Sequence, residues 1–339
     1  MELEKLALIL EQKNQPKFRL QQIKKAIYQE GVSSFSEIST LSKDLREALE
    51  KEMKILSFEV KKVLASKDGK SIKALLELQD GNLIEAVLIS PIDGTWSACI
   101  SCQVGCAIGC KFCATGKMGL KRNLTAEEIT DQILFWQQYL KTKNQKLSTI
   151  VYMGMGEPFL NWENVSESLR VLTDKDLFGF GSRSISVSTS GIPEGIEKLA
   201  QDFPQVNLAL SLHFADDAKR SASMPINRKN DLEVLRESLK KYFEKTRRKV
   251  FLEYVMLDRV NDSREDADKL VRFVKSIGKL QLLHVNLIRY NSTDSEFKSS
   301  SKERTVEFRD YLVKNRIGVT IRKSLGEEIQ GACGQLAAH

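Results

Sequence analysis

An alternation of short apolar β-rich runs with helical stretches, beginning after Trp96, constrains the fold of this chain more than any other feature. Parallel strands need crossover connections of a dozen or more residues, and those connections are usually helices. A capping box at Thr125–Glu128 marks the start of the first such helix. The pattern predicts an α/β fold with a parallel sheet, whose strand runs are STIVYMG, SRSISVST, VNLALSLH, KVFLEYVML, LLHVNLIRY and GVTIRKS.

Two smaller segments precede this α/β region. Residues 1–55 carry apolar positions three and four apart with lysines and arginines between them, which predicts a small basic helical domain. From Phe58 to Ser90 the apolar period changes to two, and the pair Asp80-Gly81 supplies a turn. The chain is therefore predicted to have three parts: a helical domain over 1–55, a β-hairpin extension over 56–92 and an α/β domain over 93–339.

The helical start mixes cations with aromatic side chains. The segment QPKFRLQQIKKAIYQ places cations beside Phe18 and Tyr28, a combination suited to RNA phosphates and stacked bases. The cations are Lys17, Arg19, Lys24 and Lys25. A solvated helix face is the alternative interpretation. The net charge of +7, from 52 Lys and Arg against 45 Asp and Glu, is compatible with a polyanionic partner but does not require one.

No apolar run approaches the roughly 18 residues that span a membrane. The N-terminal sequence MELEKLALILEQKN places acids among its apolar positions, unlike a signal peptide. We therefore expect a cytoplasmic protein without membrane association. In that reducing compartment, clustered cysteines are more often metal ligands or catalysts than disulfide partners.

The stretch CISCQVGCAIGCKFCATG holds five of the six cysteines of the chain within fifteen residues. Cys106, Cys110 and Cys113 have the spacing C-x3-C-x2-C. Three thiolates leave one iron of a [4Fe–4S] cluster open to a further ligand, whereas four would close a zinc site. The alternatives are small buried side chains, which the flanking glycines disfavour, and a zinc site with Cys99 or Cys102 as fourth ligand.

The cysteine loop, with Phe112 before its last cysteine, resembles the cluster motif of the radical S-adenosylmethionine (SAM) enzymes. Further segments resemble, in the same order, the RlmN and Cfr adenosine methyltransferases over nearly the whole chain: GLKRNLTAEEITDQI, MGMGEPFLN, ISVSTSGI, LALSLH, MPIN, VNLIRYN and GACGQL. The resemblance implies a partial (β/α)6 barrel with a small N-terminal helical domain. It also implies a [4Fe–4S] cluster held by Cys106, Cys110 and Cys113, and two SAM molecules per turnover.

Several residues are assigned to SAM by this resemblance. Glycines after the second strand allow the backbone to approach a ligand, and Glu157 can pair with an ammonium group, although a tight turn is the alternative. His213 ends an apolar strand and so points toward the mouth of the barrel. The alternative interpretation is a histidine buried in the core. The SAM contacts implied by the resemblance are Gly156, Glu157, Ser188, Ser211, Leu212, His213 and Asn291.

The resemblance also implies three catalytic residues. Cys333 of GACGQL is the residue that one SAM methylates and that a second activates to a carbon radical, which adds to adenine. Glu85 takes the ring proton, with a solvent-facing strand residue as its alternative interpretation. Cys99 then attacks the sulfur of Cys333 and releases the RNA, leaving a disulfide bond. Cys102 stands where the family usually has serine and receives no role.

The resemblance leaves two products open. MGMGEPFLN resembles RlmN, which makes 2-methyladenosine in 23S rRNA and in tRNA, while NLIRYN resembles Cfr, which methylates C8 and confers antibiotic resistance. We give more weight to MGMGEPFLN, because its Pro158 lies next to the cofactor residues. This choice favours RlmN. Expected partners are 23S rRNA, tRNA and a reducing electron donor such as flavodoxin or ferredoxin, with the protein a monomer. A non-catalytic zinc-containing RNA-binding protein is the alternative of another class.

Overall fold

The structure is a computed structural model, described for residues 1, 3–293 and 295–337. Its helical start packs through buried apolar side chains spaced three and four residues apart, as the sequence predicts. A five-residue π-helical segment, Lys25–Gln29, extends the second helix. The helices are α1 (Leu3–Gln12), α2 (Phe18–Lys24) and α3 (Lys43–Glu52).

A three-stranded antiparallel meander follows, over the residues of the predicted β-hairpin extension. The strands are β1 (Phe58–Ala65), β2 (Ser71–Leu78) and β3 (Leu83–Ile92), and β3 also pairs antiparallel with β4 (Thr95–Cys99). Five consecutive residues of β3, from Ile84 to Leu88, are buried, which is typical of a strand covered on both faces. The extension is therefore continuous with the sheet of the α/β region.

Parallel strands complete the sheet and form the barrel wall. A separate two-stranded sheet of β5 and β6, which the sequence pattern did not predict, stands beside the cysteine loop. All six predicted strand runs form strands β7 to β12, and β4 to β12 lie in the order β4-β7-β8-β9-β10-β11-β12. The strands after β4 are β5 (Gln103–Gly105), β6 (Leu120–Asn123), β7 (Leu147–Tyr152), β8 (Ile185–Thr189), β9 (Asn207–Ser211), β10 (Val250–Met256), β11 (Leu283–Arg289) and β12 (Gly318–Arg322).

Helices connect successive parallel strands, which gives six β/α units followed by a seventh parallel strand. Thr125 and Glu128 form the predicted capping box at the start of the first long helix. No helix in the described ranges has the length and apolar character needed to cross a bilayer. The helices are α4 (Ala114–Lys117), α5 (Ala126–Lys141), α6 (Trp162–Thr173), α7 (Pro193–Asp202), α8 (Asp217–Ser223), α9 (Leu232–Lys245), α10 (Arg264–Ile277) and α11 (Lys302–Lys314).

The segment after β12, residues 323–337, is here called the C-terminal tail, and it crosses from β12 to the meander. The Lys73 ammonium donates to the Gln330 carbonyl at 3.3 Å, and the Ala337 amide donates to the Glu85 carboxylate at 3.0 Å. Lys73 and Glu85 themselves form an ion pair at 2.7 Å. The tail therefore lies over the side of the barrel between its last strand and the antiparallel strands.

Candidate active site

Two connected cavities lie at the carboxyl ends of the parallel strands. The first, of about 190 Å³, is here called the cysteine cavity, and the second, of about 480 Å³, the tail cavity. Several residues line both, including Cys113, Asn291, Arg322 and Cys333. The residues assigned from the sequence that line the cysteine cavity are Cys106, Cys110, Cys113, Gly156, Glu157, Ser188, Ser211, His213, Asn291 and Cys333.

The loop that carries the three motif cysteines is fixed by contacts on several sides. The Cys106 amide donates to the Gly119 carbonyl at 3.0 Å, and the Lys111 amide donates to the Ser223 carbonyl at 3.0 Å. Phe112 is buried and contacts the His213 ring edge-on, with ring centroids 5.0 Å apart. The aromatic position of the motif thus anchors the loop in an apolar cluster beside the cavity.

The three thiols of the motif are free. Burial raises the pKa of Cys106 to about 12 and the pKa of Cys110 well above its ordinary value, with neighbouring thiols adding to both effects. In the described part of the chain, no three His, Cys, Asp or Glu side chains are grouped to hold a single metal ion. The three thiols line one cavity, and a [4Fe–4S] cluster takes each thiolate on a different iron, so this donor set fits such a cluster.

Glu157 is buried at the wall of the cysteine cavity, and three donors hold its carboxylate. The Phe159 amide donates to Oε1 at 3.1 Å, while the amide and hydroxyl of Ser190 donate to Oε2 at 2.7 and 2.8 Å. Burial raises the pKa of Glu157, and these hydrogen bonds oppose that rise. The orientation of the carboxylate is therefore set before any ligand arrives.

The glycines of MGMGEP bring the backbone close to its neighbours. Gly156 has a φ of +105°, and a Cβ there would lie 2.6 Å from the Gln103 side chain. Only glycine fits this position without displacing β5. The hydroxyls of Ser188 and Ser211 lie 3.3 Å apart near the carboxyl ends of the neighbouring strands β8 and β9. Polar groups from adjacent strand ends thus line the cysteine cavity.

His213 adopts a left-handed backbone conformation, with φ +57°, two residues after the end of β9. Its Nδ1 accepts a hydrogen bond from the Val255 amide at 3.1 Å, so the neutral ring carries its proton on Nε2. Burial, together with the Arg220 charge, lowers the pKa of His213 to about 3. The ring is therefore a neutral donor at physiological pH. Leu212, the remaining SAM assignment, is fully buried and does not line the cavity.

Cys333 lies where the two cavities meet. The Asn291 side chain donates to its carbonyl at 3.2 Å, and the Ala114 amide donates to the Gly334 carbonyl at 2.8 Å. The side chain is exposed because it faces the open cavities, although protein surrounds it closely enough that desolvation raises its pKa. These contacts tie the tail directly to the end of the cysteine loop.

Cys99 and Glu85 occupy different surroundings. Cys99, at the end of β4, lines the tail cavity with Cys333, and burial followed by the Cys333 charge raises the pKa of Cys99 to about 12. Glu85 lines neither cavity. Both of its oxygens are engaged, one by Lys73 and the other by the Ala337 amide. The structure thus brings the two thiols to one cavity and leaves Glu85 beneath the tail.

Three residues near the thiols were not singled out by the sequence. Arg322, at the end of β12, lines both cavities, and its positive charge partly offsets the rise that burial causes in the pKa values of Cys99 and Cys333. Glu253 lies 3.9 Å from Arg322 and accepts from the Asn286 side chain at 2.8 Å. For Arg322 and Glu253, the sequence offered one signal: each is an inward-facing charged residue on an otherwise apolar strand. Gln103, whose side chain accepts from the Glu157 amide at 2.8 Å, carries no such signal.

The basic helical segment differs from expectation at one aromatic residue. Tyr28 is 2 % exposed and packs edge-on against Phe178 at 4.9 Å, so it is not available to stack on a base. It belongs to the apolar seam between the helical start and the barrel. Phe18 is 54 % exposed with the Arg19 guanidinium 5.0 Å from its ring centroid, so the expected combination of aromatic ring and cation persists there.

This arrangement, a parallel α/β barrel with three free thiols at its mouth, defines a radical SAM enzyme. The sequence pattern described as "Radical SAM superfamily" matches residues 100–274. A second pattern, "Ribosomal RNA large subunit methyltransferase N-terminal domain", matches residues 1–55. A solved radical SAM methyltransferase from Sphaerobacter thermophilus is similar over all of this chain and 98% of its own, with a TM-score of 0.93 and 38% identity. Enzymes of this superfamily use SAM with a [4Fe–4S] cluster.

Curated relatives narrow the class. "Ribosomal RNA large subunit methyltransferase Cfr" of Clostridium botulinum strain Okra is 43% identical, covering 95% of this chain and 92% of the relative. "Probable dual-specificity RNA methyltransferase RlmN" of Streptococcus suis is 44% identical over 95% and 87%, and that of Dictyoglomus turgidum is 42% identical over 99% and 95%. The chain belongs to the RlmN and Cfr family of radical SAM RNA methyltransferases.

Proposed function

We propose that this enzyme methylates C2 of adenosine in 23S rRNA and in tRNA, with the methyl group carried on Cys333. The observation that carries the proposal is the position of Cys333, which faces the cysteine cavity and the tail cavity at once. A thiol at this junction can take a methyl group from a cofactor on one side and present it to a base on the other. The polar walls of the cysteine cavity suit SAM, and its three thiols suit the cluster.

The tail cavity is suited to an extruded adenosine. Its walls include Val87, Ile89 and Ile321, against which a flat base can pack. Among the described residues that line it, every charged one is a cation: Arg289, Arg322 and Lys323. Enzymes that modify a base take it out of its stack into such a pocket, and cations hold the flanking phosphates. The volume of about 480 Å³ leaves room for a nucleoside beside the Cys333 side chain.

The residues of this chain orient the reactants. We assign Cys106, Cys110 and Cys113 to the cluster, and Glu157, Ser188, Ser211 and Asn291 to polar groups of SAM, with His213 donating from Nε2. When bound, the cluster and SAM supply the methyl group and one-electron chemistry. Gly156 contributes backbone to this wall, and Leu212, which lies behind it between Ser211 and His213, holds those two residues in place.

The two thiols divide the remaining work. The Cys333 sulfur acquires the methyl group. The one-electron chemistry that SAM and the cluster would supply removes one hydrogen atom from that methyl group, whose carbon then bonds to the adenine ring as a methylene, and takes back one electron from the adduct. Glu85 takes the ring proton, which requires the tail to leave the carboxylate that it covers here. Cys99 then attacks the Cys333 sulfur: an S–S bond forms, the S–CH2 bond breaks, and its electron pair passes to the product methyl group, which gains a proton. A thiol reductant must restore both cysteines, which are reduced here.

The other partners are assigned by chemistry and likeness. The helices within residues 1–55 place Phe18 and Arg19 on the surface, which supports phosphate and base contacts. A one-electron donor such as flavodoxin or ferredoxin must reduce the cluster. We place the enzyme in the cytoplasm with its RNA substrates, acting as a monomer with residues 1–55, 56–92 and 93–339 as its three parts.

The test separates the two thiols. Cys333→Ala is expected to form no product and no RNA adduct. Cys99→Ala is expected to accumulate enzyme covalently joined to RNA, which shifts on a denaturing gel and disappears after nuclease treatment. Cys102→Ala is the matched control, because Cys102 is buried with its thiol donating to the Met155 carbonyl at 3.6 Å and lines neither cavity. Turnover by Cys333→Ala would refute the proposal.

C8 methylation is the second candidate, because a relative named Cfr matches as closely as those named RlmN. Purified holoenzyme should be given 23S rRNA fragments and tRNA, and the nucleosides compared by chromatography and mass with 2-methyladenosine and 8-methyladenosine. A product that co-elutes with 8-methyladenosine alone would replace the C2 assignment. Product in rRNA but not in tRNA would restrict the substrate.

A further inference from the structure

Arg220 of α8 is a wholly buried cation, with 0 % of its surface exposed. Its guanidinium donates to the Ser190 carbonyl at 2.6 Å, the Leu212 carbonyl at 3.1 Å and the Asn227 side-chain oxygen at 2.8 Å. Longer contacts of 3.5 Å reach the carbonyls of Ser211 and Asn230. Every one of these acceptors is a neutral oxygen.

No carboxylate in the described residues lies within ion-pair distance of this guanidinium. Asp217 is a carboxylate whose charge acts on Arg220 from beyond ion-pair distance. It is exposed, and its Oδ1 is occupied by the Asn227 side chain at 2.9 Å and the Leu232 amide at 3.0 Å. A buried charge is costly unless an opposite charge compensates it, and among the described residues no carboxylate does so at ion-pair distance from Arg220.

The cysteine loop lies next to this guanidinium. The Lys111 amide, next to Cys110, donates to the Ser223 carbonyl at the end of α8, which ties the helix to the loop. Arg220 donates to the carbonyls of Ser190 and Ser211, and both of these residues line the same cavity as Cys110. Three thiolates around a [4Fe–4S] cluster carry net negative charge, which increases when the cluster is reduced.

We propose that Arg220 is the counter-charge of the iron–sulfur cluster and raises its reduction potential. The inference rests on the proposed ligation by Cys106, Cys110 and Cys113. Arg220 acts through the cluster and does not line either cavity, so it does not contact SAM or RNA directly. The buried charge stabilises the reduced cluster over the oxidised one, because attraction grows with the negative charge on the irons.

A purely structural role makes a different prediction. The guanidinium also joins the ends of β8 and β9 through Ser190 and Leu212, and that function needs hydrogen bonds but no compensation of charge. A charge-preserving Arg220→Lys variant keeps the electrostatics and loses hydrogen bonds. Arg220→Gln keeps donors and loses the charge. The midpoint potential of the cluster separates the two roles, because it responds to charge near the cluster and is not set by the hydrogen bonds to the Ser190 and Leu212 carbonyls.

A charge swap tests the same idea without removing the arginine. The double variant Asp217→Asn/Asn227→Asp keeps the composition and net charge of the chain. It moves the carboxylate from an exposed position to the atom that lies 2.8 Å from the guanidinium, while the amide at 217 can donate back to the carboxylate at 227. The swap therefore places a carboxylate directly against the guanidinium.

The experiment measures the midpoint potential of anaerobically reconstituted holoenzyme by EPR-monitored titration, with iron content and circular dichroism for each variant. Arg220→Gln and the swap should both lower the potential, and Arg220→Lys should stay near wild type. Arg228→Gln, which removes one exposed cation eight residues later, is the control and should leave the potential unchanged.

The proposal would be overturned if Arg220→Gln had the same midpoint potential as the wild type, or, where Arg220→Gln does not fold, if the swap did. It would also be overturned if Arg228→Gln shifted the potential as much as Arg220→Gln does. The swap decides the case alone if needed, because it retains the arginine. Wild-type protein without iron after reconstitution would refute the cluster assignment itself, which is a separate result.

Discussion

Replacing Lys73 by methionine should destabilise the protein and release the C-terminal tail. Lys73 and Glu85 form a buried ion pair at 2.7 Å, with side chains 6 % and 1 % exposed. Removing one partner of a buried pair leaves an uncompensated charge and costs about 3–5 kcal/mol. At about 2 °C per kcal/mol for a chain of this size, Tm should fall by roughly 6–10 °C.

The double variant Lys73→Met/Glu85→Leu separates the cost of the stranded charge from the loss of the pair. It removes both charges and leaves the Ala337 amide without its acceptor, which costs about 1–3 kcal/mol, so much of the stability should return. Hydrogen exchange of residues 326–337 should quicken in both variants, because each loses a contact between meander and tail.

The matched control is Lys61→Met, which breaks an exposed ion pair with Glu77 at 2.8 Å on the same meander. Exposed pairs contribute little to stability, so neither Tm nor exchange in the tail should change. If Lys73→Met and Lys61→Met had the same Tm and the same exchange rates, the buried pair would not hold the tail and this reasoning would fail.

Three further outcomes are expected. The folded state lowers the pKa of His213 to about 3, so the stability that is present above the unfolded pKa of about 6.5 is lost as pH falls toward 3. The loss is at most about 1.4 kcal/mol per pH unit. The free energy of unfolding should therefore be lower at pH 5.5 than at pH 7.0 by an amount that is absent in His213→Gln. Iodoacetamide should label Cys99 slowly at pH 8 and faster toward its pKa of about 12, and more slowly still in Arg322→Gln, as mass spectrometry of tryptic peptides would reveal. Gly156→Ala should weaken equilibrium binding of S-adenosylhomocysteine, because its Cβ would meet Gln103, whereas Gly181→Ala, which faces open space, should bind normally.

The sequence predicted those parts of the fold whose signals are local. Each parallel strand is a run of β-branched and large apolar residues flanked by helical segments, and all six predicted runs form strands. The capping box at Thr125 formed because both partners lie within one helical turn. The strand β6 was missed because LKRN is short and polar, and its pairing with β5 depends on a fold that brings the two together.

The candidate site was predictable where spacing carries the chemistry. Cysteines four and three residues apart can be recognised within one loop of the sequence, and they line one cavity here. Arg220 and Lys73 gave no such signal, because a lysine on a strand or an arginine on a helix is usually exposed. Their burial depends on partners such as Ser190 and Glu85, which lie 30 and 12 residues away in the chain. Likewise, Tyr28 was assigned to the surface because its packing against Phe178 is non-local.

The tail has a consequence for how the protein is made. It follows β12, so a ribosome completes every strand of the sheet before it delivers the segment that lies across the barrel. Domains often fold during synthesis, at about 5–20 residues per second. The wall of the two cavities can therefore form while one side stands open, and the Cys333 thiol arrives only when its own segment docks on Lys73, Glu85 and the cysteine loop. The cavity therefore closes at the same step that brings in Cys333, the proposed methyl carrier, and this step comes late in the folding of each chain.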